Sequence, residues 1–150
     1  MKRLSEEAIK IVAKAGWFPG RHIDISAWRA SFQELGLVMH EAAENFLSEF
    51  GGLSFEYDDS EPRRAIRSFE FDPLLGCGEE GRFEDWGNLI EVKLFPIGEL
   101  DFGVSFIAIG DDAVLYLVAD WLARFGDGVD GVDNMIIGMH PEILYNSYPI

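Results

Sequence analysis

The chain has 150 residues, enough for one domain with a real core, and its composition (48% apolar, 26% charged) is that of a folded globule. Twenty-seven carboxylates against twelve Lys and Arg give a net charge of −15. That field argues against nucleic acid and anionic membrane as partners, since both need phosphates neutralised by basic side chains.

Met1-Lys2-Arg3 runs straight into Ser5-Glu6-Glu7 with no apolar segment behind it, so no secretory leader is expected. Ser5 can cap a first helix whose opening turn holds Glu6 and Glu7 and whose last turn holds Lys14, with Gly16 as the stop. A turn at Trp17–Arg21 leads to a second helix capped by Asp24 or Ser26 and closed at Gly36, with Trp28, Phe32 and Leu35 at helical spacing. The third helix starts at Met39 or His40. Ala43, Phe46, Leu47 and Phe50 form its stripe, and Gly51-Gly52 ends it.

The period then changes. Leu53, Phe55 and Tyr57 alternate with polar residues as a strand does, and a polar loop leads to a partner strand near 66–71. Phe83, Trp86, Leu89, Ile90 and Leu94 are spaced like an amphipathic helix, weakened at Gly87. Pro96 and Gly98 mark a turn, and Gly110-Asp111-Asp112 joins the two strands of a hairpin. Val129, Val132, Ile136 and Met139 suggest a closing helix. The expected division is one domain over 1–140 and a loosely held tail over 141–150. Helices and antiparallel strands without strict alternation predict an α+β fold, a sheet with helices packed against it. The longest apolar stretch, Ala113–Ala119, is too short to span a bilayer, and the expected compartment is the cytoplasm.

Motifs for chemistry are sparse. His40 and Glu44 stand at i and i+4 and could share an ion on one helix face, but a zinc enzyme would normally place a second histidine where Glu44 stands. His22 and Asp24 lack a neighbouring nucleophile or oxyanion site. Cys77, the single cysteine, cannot form an internal disulfide, and Glu79 and Glu80 disfavour its thiolate. The same carboxylates make Gly76–Gly81 unsuitable as a phosphate loop. No catalytic residue, metal ligand or cofactor is therefore expected.

The acidic excess suggests a protein partner of opposite charge, because it attracts basic surfaces and speeds their encounter. Glu79, Glu80, Glu84 and Asp85 cluster beside Trp86, and Glu56, Asp58 and Asp59 form a second acidic stretch. Both read either as solvated segments or as contacts for a basic partner, with Trp86 as an aromatic anchor.

Several strings resemble the SUKH-3 branch of the SUKH superfamily of immunity proteins. Gly16-Trp17-x-Pro19-Gly20-Arg21 with Asp24 and Trp28 is similar to its N-terminal signature. Ala42-Ala43-x-x-Phe46-Leu47-x-Glu49-Phe50-Gly51-Gly52-Leu53 resembles its central helix and glycine stop. Phe71-Asp72-Pro73, Phe95-Pro96-Ile97-Gly98 and Tyr116-Leu117-Val118 are similar to its later strands and turns. The resemblance implies an α+β domain that binds and blocks a bacterial toxin, typically a nuclease or nucleic-acid deaminase with a basic face, without chemistry of its own. The alternatives are a regulatory or scaffold domain, since SUKH relatives also occur outside toxin systems, and a small metal-dependent hydrolase built on His40 and Glu44.

Overall fold

The computed structural model describes residues 4–56 and 68–147. Helix α1 (Glu6–Lys14) starts at Ser5, whose hydroxyl accepts the Ala8 N–H. Helix α2 (Ser26–Glu34) has no side-chain cap at Ile25 itself. One residue earlier, Asp24 takes the Ser26 N–H at 2.9 Å, a bond that lowers the Asp24 pKa. Helix α3 (Glu41–Phe50) is capped by His40, whose Nδ1 accepts the Ala43 N–H.

The end of α3 is closed from outside. Its last carbonyls lack partners within the helix. The Arg21 guanidinium donates to two carbonyls there, Glu49 O and Gly51 O, and the Trp17 indole N–H donates to the Glu49 carboxylate. Trp28 lies so close that a Cβ on Gly51 would strike its ring. The Ile23 N–H donates to Ser48 O, tying the α1–α2 connection to the same helix end. Just beyond, Gly52 N–H donates to Phe71 O and Phe71 N–H to Leu53 O, which delivers the chain to the sheet.

Seven strands follow in sequence order as one antiparallel sheet: β1 (Ser54–Phe55), β2 (Phe69–Glu70), β3 (Leu94–Leu100), β4 (Ser105–Gly110), β5 (Val114–Val118), β6 (Leu122–Asp127) and β7 (Glu142–Tyr145). The fold is α+β. A short 3-10 helix (Pro73–Gly76) and helices α4 (Glu80–Ile90) and α5 (Gly128–Ile136) complete the described elements.

Alternation along the strands divides the core in two. The inner face carries Phe71, Phe95, Ile107, Ile109, Leu115, Leu117 and Phe125, which pack against α1, α2, α3 and α5. The outer face carries Ala108, Val114, Tyr116, Val118 and Leu122, covered by Phe83 and Trp86 of α4. Ser5 N–H donates to Asp133, and Asn134 donates to Phe125 O, so α5 is fastened to both α1 and β6. Among the described residues no helix is long and apolar enough to cross a membrane.

Two expectations are corrected, and one strand was not expected. Pro96 and Gly98 do not end a segment: β3 runs through both, with a bulge between them. Leu122–Asp127 is a strand whose burial alternates from Ala123 to Gly126, after a shift in register between Leu122 and Ala123. Residues 142–145, expected in a loose tail, pair with β6 as the edge strand.

Two stability measurements follow. Arg21→Ala should cost about 2 kcal/mol, since its hydrogen bonds are charge-assisted. Arg21→Lys should recover only part, because an ammonium does not fork across two carbonyls as a guanidinium does. The urea midpoint at unchanged slope is the readout. Tyr116 donates its hydroxyl to Asp112 Oδ2 at 2.9 Å, and burial together with that bond pushes its pKa far above the ordinary phenol value. The unfolded chain thus loses this proton first, and stability should fall as pH rises beyond about 10. Tyr116→Phe should remove that alkaline slope in pH-dependent denaturation.

Candidate functional site

The bulge in β3 determines which side chains face outward on this part of the sheet. Phe95 lies across from Ile109 and Pro96 from Ala108, but Gly98, not Ile97, lies across from Ile107. The extra residue reverses the alternation. Glu99 consequently falls opposite Phe106 on the outer face, while Leu100 turns into the inner core. Gly98 also permits the close passage of β2, since a Cβ there would strike the Glu70 carbonyl.

Glu70 lies directly across from Glu99, and Ser54 directly across from Glu70. Two carboxylates thus stand side by side, an arrangement that opposes strand pairing. Glu56 follows Ser54 by two residues on β1's outward alternation. These side chains line a cavity of about 370 Å³ together with Ser68 and Phe102 and the backbone at Phe55 and Phe69, whose rings belong to the inner core. Phe102, on the β3–β4 turn, is 71% exposed. Partial burial raises the Glu99 pKa, and the charges of Glu70 and Asp72 raise it further. Asp72 also acts on Cys77: desolvation first, then Glu80 and Asp72, push the thiol upward. One negative field therefore runs from Glu70 and Glu99 through Asp72 to the start of α4.

That helix carries the acidic cluster read from the sequence. Glu79 pairs with Arg82 at 3.1 Å, and Arg82 reaches Asp120 at 3.6 Å. Glu80 accepts the Gly78 N–H, while Glu84 and Asp85 are exposed. Trp86 is not at the surface. It is fully buried, its indole donates to Ala119 O at 3.1 Å, and it packs α4 onto the sheet in place of offering a ring to a partner. Glu56 is exposed at the cavity, separate from the α4 cluster; Asp58 and Asp59 lie outside the described residues.

His40 and Glu44 face different partners. With Nδ1 taken by the Ala43 N–H, Nε2 donates to Ile109 O at 3.1 Å, and Glu44 pairs with Arg29. Among the described residues no group of three or more His, Cys, Asp or Glu is placed to hold a metal ion. His22 is exposed, and Asp24 is engaged by Ser26.

Glu70, Glu99 and Phe102 were missed. Phe69-Glu70-Phe71 does show an outward carboxylate by alternation, but the placement of Glu99 depends on a bulge that strand periodicity does not reveal.

The family model described as SUKH-3 immunity protein matches residues 4–138. No curated protein and no solved structure matches the chain significantly. The match spans nearly the whole chain, which therefore belongs to the SUKH-3 immunity protein family.

The raised Glu99 pKa has a definite sign. Because the folded value exceeds the unfolded one, the contribution of Glu99 to stability is greatest below the carboxylate range and declines as pH rises through it. Glu99→Gln should therefore be at least as stable as the parent at pH 7 and lack that component of the decline, measured by denaturation from pH 3 to 8.

Proposed function

We propose that this SUKH-3 family member is a cytoplasmic immunity protein that holds a cognate toxin domain by its acidic outer face. Family membership over residues 4–138 carries the reading. The charge of −15 supports it, since a toxin that acts on nucleic acid needs a basic surface to grip phosphate. A nuclease or nucleic-acid deaminase is the favoured toxin class, and occlusion of its basic face suffices for protection without catalysis by this chain.

The proposed contacts are Glu79, Glu80, Glu84 and Asp85 on α4 and Glu56 at the sheet edge, together with Asp58 and Asp59. Trp86 acts indirectly by holding α4 in place. The rival reading, a regulatory or scaffold domain, would use the same surface for a partner that is not a toxin.

Co-purification with the product of the adjacent gene, followed by a nuclease or deaminase assay, separates the two. A tight complex in which the neighbour's activity disappears is the expected result. A neighbour that stays active and unbound would move the assignment to the scaffold reading. Within such a complex, charge reversal of Glu80 and Asp85 should slow association about tenfold at low salt, and the difference should shrink as salt rises. An association rate indifferent to both changes would remove electrostatic steering from the account.

A further inference from the structure

We propose that the cavity framed by β1, β2 and β3 receives an arginine side chain of the partner protein, its guanidinium set between Glu70 and Glu99 and against the Phe102 ring. The identity of that partner rests on the immunity reading above; the pocket's chemistry does not.

Part of the outer sheet face has no helix over it among the described residues. Helix α4 covers the outer face over Ala108, Val114, Tyr116 and Val118, whereas among the described residues no helix covers the end formed by β1 and β2, where there is a cavity of about 370 Å³. Glu70 and Glu99 are directly opposed across adjacent strands there, a pairing that costs stability in the free protein. No ion pair to either carboxylate is found among the described residues. A cation entering from outside would relieve that repulsion, and the gain would appear only on binding.

The geometry selects the cation. The Glu99 carboxylate lies over the β3–β4 turn, 3.5 Å from where a Cβ on Gly103 would stand, which brings it beside Phe102. Phe102 stands there with φ 54° and is 71% exposed, an exposure that packing among the described residues does not explain. A guanidinium suits this combination better than an ammonium. It is planar and weakly hydrated, it stacks on aromatic rings, and its fork of N–H groups can engage two carboxylates together.

The test uses the full chain and the blocked peptide acetyl-Gly-Arg-Gly-amide, with its citrulline counterpart as a neutral control of nearly the same shape. Amide chemical shifts should move at 54–56, 68–70 and 99–103 at millimolar arginine peptide, and scarcely at all with citrulline. Glu70→Gln/Glu99→Gln should abolish the effect while melting no lower than the parent. In the co-purified complex the same double variant should weaken toxin binding about tenfold or more. Shifts confined to α4, equal shifts with citrulline, or the same shifts produced by calcium chloride alone would overturn the proposal. So would a lower melting temperature of the double variant, since the carboxylates would then already be neutralised within the chain. If parent and double variant bind the toxin equally, the pocket is refuted and immunity stands. If the peptide binds as described but no toxin does, the arginine pocket stands and the immunity reading fails.

Discussion

Arg21 reaches from the loop after α1 to the open end of α3, and much of the molecule is arranged around that reach. The helix leaves carbonyls without partners at Glu49 and Gly51, and a guanidinium can satisfy both while placing positive charge at the negative end of the helix dipole. Trp17 and Ile23 secure the neighbouring residues of α3, so the α1–α2 connection and the helix end behave as one joint. From this joint Gly52 and Leu53 bond to Phe71. Strands β1 and β2 are only two residues each, too short to set their own register, and their place at the sheet edge depends on that anchorage.

A second constraint acts at β3. The bulge at Ile97 turns Glu99 outward and Leu100 inward, so one extra residue supplies the inner core with a leucine and the outer face with a carboxylate. The two faces then differ in character. The inner face collects most of the apolar burial, with four helices packed on it. Among the described residues the outer face has one covering helix, itself acidic at its start, and an end without one where carboxylates oppose each other. The burial on the inner side permits the outer side to retain unfavourable charge, which suits a surface that meets a basic partner.

The helices were legible because their ends are punctuated. Ser5, Asp24 and the glycines at 16, 36 and 51–52 act through local chemistry that a sequence displays directly. The strings Trp17–Arg21 and Glu49–Leu53 were each readable as a turn or a helix end, but their mutual contact was not, because nothing local joins residues so far apart. Strand β6 alternates over only four residues, Ala123–Gly126, too short a run to stand out, and the bulge in β3 interrupts the alternation there. Trp86 was misplaced by its acidic neighbours, although its i, i+3 spacing with Phe83 already marked the buried side of α4. Of the candidate site, Glu56 and the α4 carboxylates could be read from composition. The Glu70–Glu99 pair could not, since it exists only once two strands are in register.

The central claim is that the outer acidic face is the working surface. Hydrogen exchange of the backbone amides, compared between the free chain and its complex with the neighbouring gene product, tests this most directly. The account predicts added protection in β1 and β2, at the β3–β4 turn and along the first half of α4, with α1 and α2 unchanged. Protection gathered on α1 and α2, with the outer face exchanging as freely as before, would contradict it.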